Sequence, residues 1–275
     1  MHRTRSYVLK AILFSFALFI ETLIISSLLF NFAISKNYFS IDWNFVGLLT
    51  AVLLLICYTY ALTVGAWDTW LQYIIVPLPI SLGTALIVAR INLAYGMIVF
   101  FTVYMFSAYD VYFATQLKEQ LIKFNPKIIL RFSTKGILLI FALISGLLIF
   151  ISPVSPDEVN TSVVSFIADI ADKQTKIILN NSMEQNENLA ILKRFGLVSL
   201  DFKTLFTNQI STVLEPYKHF ILPIIAILVA GSIQFLNGLV YLLFAVTVDL
   251  VFMLAKRSGI LKTEYRDVKQ ETLTY

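Results

Sequence analysis

The stretch AILFSFALFIETLIISSLLFNFA, residues 11–33, decides the fold class of this chain, because it holds a single charged side chain, Glu21, in a mostly apolar run. An α-helix needs about 20 such residues to cross a hydrocarbon layer about 30 Å thick. The apolar core of a secretory signal sequence is shorter, about 7–15 residues. We therefore predict a first membrane span, retained in the protein, over residues 7–34.

The composition of the whole chain indicates the same class. Hydrophobic residues make up 58% of the 275 residues and charged residues 14%, against roughly 45–50% and 25% in soluble domains. The mean hydropathy is +0.81. Because the exterior of a soluble fold must face water, these values exclude a soluble enzyme, a nucleic-acid-binding protein and a disordered chain. We expect no nucleic-acid partner.

Cysteine and histidine are too scarce for the common disulfide and zinc chemistries. The sequence has one cysteine, Cys57, and two histidines, His2 and His219. It also lacks a glycine-rich phosphate loop, a nucleophile elbow and a zinc-protease motif. We therefore expect no metal site, no cofactor and no catalytic residue.

Five more apolar runs follow the first one. They predict an all-α integral membrane protein with six transmembrane helices, at residues 7–34, 45–64, 71–89, 93–113, 136–151 and 220–255. The last run is longer than one crossing requires. It is therefore either one tilted helix or two short helices hinged near Asn237 and Gly238.

The distribution of lysine and arginine predicts the orientation. The N-terminus carries three of them, the segment 116–135 five and the tail 256–275 five, whereas the short connections on the other side carry only Lys36 and Arg90. Basic residues concentrate on the cytoplasmic side. Six spans therefore place both termini in the cytoplasm of a plasma or inner membrane, whereas a seventh would export the basic tail. This divides the chain into a five-span region at 1–151, an extracytoplasmic domain at 152–219, a sixth span at 220–255 and a cytoplasmic tail at 256–275.

A basic segment connects the fourth and fifth predicted spans. Residues 116–124 have the pattern of an amphipathic surface helix, which Asn125 and Pro126 interrupt. Anionic lipid headgroups attract such a helix by roughly 1 kcal/mol per cation. We predict a lipid-facing basic surface on the cytoplasmic leaflet, formed by Lys118, Lys123, Lys127, Arg131 and Lys135.

The segment 152–219 is predicted to form a small three-helix domain outside the membrane. A serine, proline and glutamate at 155–158 are typical of a helix start, and an apolar stripe follows until Asn180-Asn181. A second helix is expected to begin at Ser182, and a third apolar stripe occupies 202–213. These helices are the expected contact surface for protein partners.

Glu21 is the most informative single residue, because it lies near the middle of the first span. An ionised carboxylate there costs at least about 2–3 kcal/mol, and no cation lies within two turns on the same helix. We expect the side chain to face other spans. Two interpretations remain open: a proton- or cation-binding group on a transport path, or a polar group that joins helices.

The last span carries a stripe of small and polar residues. Its spacings of three and four place these residues on one helix face. We predict that this face packs against another span, where amides bridge helices; the alternative is the wall of a polar pathway. The stripe consists of Gly231, Gln234, Gly238, Tyr241 and Ala245, bordered by Asn237.

Prolines interrupt the third span, and two aspartates lie in apolar surroundings. Pro77 and Pro79 remove backbone donors and should kink or break the helix. Broken helices coordinate substrate in many transporters, but a kink in an ordinary span is the simpler interpretation. Asp110 and Asp249 are expected near the cytoplasmic interface, where water reaches them.

The sequence favours a non-catalytic role. We predict a membrane scaffold or complex subunit, not an enzyme, that contacts partners through its extracytoplasmic helices and lipid through its basic cytoplasmic face. The alternative is a small-solute or ion transporter that uses Glu21 and the polar stripe of the sixth span.

Overall fold

The chain folds into a bundle of helices, which a computed structural model shows. The structure describes residues 2–35, 38–39, 42–66, 71–120, 125–185 and 202–261, with side chains from residue 9 onward except at 66 and 179–185. Helices dominate, and no strand occurs within these ranges. The all-α prediction is confirmed for them.

The helices follow one another with short connections. Within the described ranges their bounds are α1 (His2–Ile34), α2 (Trp43–Ala66), α3 (Gln72–Ile75), α4 (Pro77–Ala89), α5 (Leu93–Gln120), α6 (Pro126–Phe150), α7 (Pro156–Gln185), α8 (Phe202–Leu214) and α9 (Lys218–Arg257). A 3-10 turn, Glu215–Tyr217, joins α8 to α9.

Six helical segments are long and apolar enough to cross a membrane. They are α1, α2, the pair formed by α3 and α4, α5, α6, and the segment Phe202–Arg257, which ends with α9. Large apolar side chains on them point away from the bundle, among them Ile227 at 72% and Phe235 at 74% exposure. Lipid tails can cover such surfaces, whereas water would disfavour them. The chain is an integral, multi-pass membrane protein.

The last span is one helix. α9 runs for 40 residues and continues through Asn237 and Gly238 without interruption, so the alternative of two short helices is wrong. At 1.5 Å per residue its length is about 60 Å, well beyond the hydrocarbon layer. It must therefore tilt or extend into water.

The third span is interrupted next to its prolines. α3 ends at Ile75 and α4 begins at Pro77, and Val76 between them lies outside both helices. Pro77 has no amide hydrogen with which to continue the ladder. The Val76 amide still donates to the carbonyl oxygen of Gln72, so the chain keeps its direction.

The basic connection between the fourth and fifth spans does not form a separate surface helix where it is described. α5 continues through Gln116 to Gln120, and α6 begins at Pro126, ten residues before the predicted start of the fifth span. The Asn125 side chain accepts hydrogen bonds from the amides of Lys127 and Ile128, at 3.1 and 3.4 Å. This capping, with proline at the first helical position, explains the earlier start.

Several contacts bring the start of α1 and the end of α9 to the same end of the bundle. The Lys10 ammonium donates to the carbonyl oxygen of Ile260 at 3.2 Å. Lys127, in the first turn of α6, forms an ion pair of 2.8 Å with Asp249 on α9. The start of α6 therefore lies at this end as well.

The helices between the fifth and sixth spans differ in part from the prediction. The predicted start is confirmed: the Glu158 amide donates to the Ser155 hydroxyl, and the Ser155 amide donates to the Glu158 carboxylate. The stop at Asn180-Asn181 and the new start at Ser182 are wrong, because α7 continues to Gln185. Asparagine lowers helix propensity only modestly, so it does not end a helix by itself.

The third predicted stripe forms α8, and this part of the prediction is confirmed. Residues 186–201, which include the remainder of the second predicted helix, lie outside the described residues. α7 and α8 pack on each other, and an ion pair of 2.8 Å joins Asp169 to Lys203. The ring of Phe166 stacks on Phe39 with centroids 4.5 Å apart, which ties α7 to the connection between α1 and α2.

Candidate intramembrane polar site

Glu21 faces the interior of the bundle. Its side chain is 7% exposed, and the Thr59 hydroxyl on α2 donates a hydrogen bond of 2.7 Å to its Oε1 atom. Among the described residues its Oε2 atom has no hydrogen-bond partner. The thiol of Cys57, two positions before Thr59, lies within electrostatic range of the carboxyl group.

A second carboxyl group, Asp110 on α5, also lies against the bundle. It packs so closely on the Cα of Gly136 in α6 that a side chain at position 136 would overlap it. The Tyr60 phenol on α2 lies within electrostatic range of both Asp110 and Cys57, and Ser133 on α6 lies beside it. The expectation of a solvated carboxyl holds for Asp249 and not for Asp110, which is only partly exposed.

α2 connects the two carboxyl groups. Cys57 and Tyr60 are three positions apart and share a face of this helix, and Cys57 lies near Glu21 while Tyr60 lies near Asp110. We call the resulting set the polar cluster. It consists of Glu21, Cys57, Thr59, Tyr60, Ser107, Asp110 and Ser133, with Ser107 one turn before Asp110 on α5.

The cluster contains buried oxygens whose hydrogen-bonding capacity is unused within the described part of the chain. The hydroxyls of Tyr60 and Ser107 are 0% exposed and lack partners. Some buried hydroxyls outside the cluster bond to a carbonyl oxygen one turn earlier, such as Thr22 to Leu18 at 2.7 Å and Ser145 to Ala142 at 2.6 Å, whereas those of Ser26 and Thr134 also lack a partner in the described residues. Because an unpaired polar atom in a dry interior costs about 1–3 kcal/mol, such atoms are rare unless they bind something.

Part of the polar stripe of the last span does not pack within the described chain, whereas Tyr241 packs against the buried core. Gly231 and Gly238 have open space where a side chain would be, and Gln234 is exposed. The buried face of α9 is a different one, and it carries Asn237, whose Nδ2 donates to the carbonyl oxygen of Leu138 at 2.6 Å. The predicted packing is therefore wrong at Gly231, Gln234 and Gly238, whereas Asn237 and Tyr241 do contact α6.

The structure does not bring Glu21 together with the candidate residues of α9. The hydrogen bonds of Asn237 go to Leu138 and Gln234, and Tyr241 lies under the Lys135 ammonium, 4.7 Å from the ring centroid. Glu21 is bonded to Thr59 instead. The pathway combining Glu21, Gln234, Asn237 and Tyr241 therefore has no direct contacts to support it.

The predicted helix break leads to a polar contact that sequence reasoning missed. Pro77 and Pro79 are buried, and in α3, just before the interruption, the Gln72 side chain is buried as well. Its Nε2 donates to the Thr115 hydroxyl on α5 at 2.9 Å, and its Oε1 has no partner among the described residues.

The predicted basic surface is only partly directed outward. The Lys118 ammonium donates to the carbonyl oxygen of Val64 at the end of α2. Lys127 pairs with Asp249, and Lys135 covers the ring of Tyr241. Arg131 is exposed, whereas Lys123 lies outside the described residues.

Metal-binding chemistry of the usual kind finds no support in the described ranges, where no group of three or more histidine, cysteine, aspartate or glutamate side chains converges. No protein-family model, curated protein or solved structure matches the chain.

Proposed function

We propose that this chain is a non-catalytic membrane component, a scaffold or complex subunit, that binds a protein partner through α7 and α8. The observation that supports this proposal is the apolar surface these helices leave uncovered. α8 contributes no buried residue. Ile177 on α7 is 54% exposed and Val213 on α8 is 66% exposed.

This surface has few alternatives to a partner. α8 is 13 residues long, too short to cross a bilayer. Exposed apolar residues grouped on helices outside the spans are typical of interaction surfaces. The first part of α7 is covered by the chain itself, since Val159 and Ala168 are 0% exposed. The uncovered part therefore lies on residues 170–178 of α7 and on α8.

The proposed orientation places α7 and α8 outside the cytoplasm, with both termini inside. The distribution of basic residues supports it, because Lys10, Lys127 and the end of α9 share one end of the bundle. The positive-inside rule assigns this end to the cytoplasm of a plasma or inner membrane. Arg131 and the other cations of this end are proposed to contact anionic lipid.

Native gel electrophoresis of membranes from the source cells tests the assembly role. The 31.2 kDa chain is expected to migrate in a larger complex, and the double variant Ile170→Lys, Ile177→Lys is expected to release it. Thr161→Lys is the matched control, because position 161 lies on the opposite face of α7 and is exposed. Migration of the wild-type chain as a monomer would contradict the proposal.

Transport of a small solute or ion is the second candidate, and the buried carboxyl of Glu21 favours it. Ionisable groups inside a membrane are costly and commonly mark ion or proton pathways. Flux of protons or solute through liposomes containing the purified chain tests it, with Glu21→Gln expected to abolish the flux in a folded protein. If the wild-type chain and Glu21→Gln gave equal flux, the only role left for Glu21 would be to join helices.

A further inference from the structure

The oxygen atoms around Asp110 are not explained by an assembly role. A scaffold needs no partly buried carboxyl group within a membrane span, since a charge at the centre of a span costs at least about 2–3 kcal/mol. Yet the Asp110 carboxyl lies between α5 and α6, within electrostatic range of the Tyr60 phenol of α2. Three helices thus meet at one acidic group.

Hydroxyl side chains on α2, α5 and α6 belong to the same region of the bundle as this carboxyl group. The Ser107 hydroxyl lies one turn before Asp110 on the same face of α5, and it is 0% exposed without a partner in the described residues. The Tyr60 hydroxyl is likewise 0% exposed and without a partner in the described residues. The Ser133 hydroxyl has a long contact, 3.5 Å, to the carbonyl oxygen of Leu130 and also lies beside the Tyr60 phenol.

The charge of Asp110 is not balanced by a basic side chain. Within the described part of the chain neither Asp110 nor Glu21 forms an ion pair. α4, which packs against α5, has no ionisable side chain. The ionisable groups that face Asp110 from α2 are Tyr60 and, farther along, Cys57, and α1 contributes Glu21 beyond them.

Gly136 gives the carboxyl group its position. Any side chain at residue 136 would overlap the Asp110 oxygens. The glycine therefore lets the carboxyl group reach the backbone of α6 and the neighbourhood of Ser133. A substitution would push the Asp110 carboxyl away from these oxygens.

We propose that Asp110, Tyr60, Ser107 and Ser133 bind a monovalent alkali cation. Hard cations take oxygen ligands, and protein oxygens can replace their hydration shell inside a membrane. One carboxylate balances one positive charge, so a monovalent ion leaves the site neutral. A proton on Asp110 would also neutralise it, but a protonated carboxyl group donates one hydrogen bond and would serve at most one of the hydroxyl oxygens.

The test is the thermal stability of the purified full-length chain in detergent, in NaCl, KCl or choline chloride at equal ionic strength. A ligand at a hundredfold its Kd is expected to raise Tm by about 5–10 °C. The salt, NaCl or KCl, that gives the higher Tm identifies the bound ion. Asp110→Asn is expected to lose the rise, and Asp249→Asn, at an exposed carboxylate paired with Lys127, is expected to keep it.

Ser107→Ala gives a second measurement that does not depend on the folding of Asp110→Asn. Removing one oxygen ligand is expected to raise the cation concentration at half-effect about 10-fold. Equal Tm in all three salts, an undiminished rise in Asp110→Asn, or an unchanged half-effect concentration in Ser107→Ala would overturn the proposal. A Tm that depends on pH through Asp110 but not on the cation would also overturn it, since the site would then bind only a proton.

Discussion

The Asn237 side chain donates a hydrogen bond of 2.6 Å to the main-chain carbonyl oxygen of Leu138, and this bond joins the middle of α9 to α6. It fixes which face of α9 is inside. Residues one and two turns away on that face, such as Ile233, Val240 and Phe244, are buried. The neighbouring face with Gly231 and Gly238, about a third of a turn around the helix, is left open to the surroundings.

We predict that Gly146 and Gly231 respond oppositely to substitution by alanine. A Cβ at Gly146 would lie 3.0 Å from the carbonyl oxygen of Ala226 and 3.1 Å from the Cβ of Ala230, so α6 and α9 would have to separate. Gly146→Ala is expected to lower the free energy of unfolding by about 1–3 kcal/mol. Gly231→Ala, with open space, is expected to stabilise α9 by about 0.5–1 kcal/mol. Denaturant titration in detergent measures both, and equal effects would argue against this packing.

The rotation of α9 about its own axis shows what sequence reasoning can and cannot predict. The spacing of three and four correctly groups Gly231, Gln234 and Gly238 on one face, but it does not say which face packs inside the chain. In a soluble helix the apolar face would be the buried one. In a bilayer both faces are apolar, because lipid tails are as apolar as the helix interface.

Labelling of introduced cysteines tests the proposed orientation. The single native cysteine, Cys57, is 0% exposed, so the unmodified chain is expected to remain unlabelled by a membrane-impermeant maleimide. Thr161→Cys on α7 is expected to react from outside intact cells. Ser258→Cys at the end of α9 is expected to react only after permeabilisation. Outside labelling at 258 would contradict the placement of both termini in the cytoplasm.

The ion pair between Asp169 and Lys203 makes the contact of α7 and α8 sensitive to acid. The hydrogen bond from Lys203 holds the pKa of Asp169 below its ordinary value. A lowered pKa in the folded state means that the stabilisation is present above the unfolded pKa and is lost as pH falls through the folded one. Amide exchange in α8 is therefore expected to speed up below about pH 4, beyond the intrinsic pH effect.

Asp169→Asn is the control for this pH dependence. It removes the titrating group, so the acid-induced increase in α8 exchange, corrected for the intrinsic rate, is expected to disappear. About 1 M salt should weaken the same contact at neutral pH, because both side chains are exposed and the Debye length is then about 3 Å. If amide exchange in α8 still speeds up in acid in Asp169→Asn, another titrating group causes this response.

The polar cluster was only partly predictable from the sequence, for a reason of position. Glu21 stands out because the residues around it are apolar for several turns. Asp110 does not, because Lys118 and the rest of the basic connection follow within a few turns and suggest a wet interface. Its position against α6 depends on Gly136, whose missing side chain admits the carboxyl group, and a contact between residues on two different helices leaves no local pattern.

The hydrogen bond from Thr59 to Glu21 can be measured by a double-mutant cycle. Glu21→Gln keeps an oxygen that accepts from the Thr59 hydroxyl, so stability is expected to change by less than about 1 kcal/mol. Thr59→Val keeps the shape of the side chain but leaves the carboxyl without its donor, which is expected to cost about 1–3 kcal/mol. In Glu21→Leu the polar group is gone, so adding Thr59→Val should then cost much less. Additive effects of Glu21→Leu and Thr59→Val in unfolding experiments would mean that the two side chains do not interact.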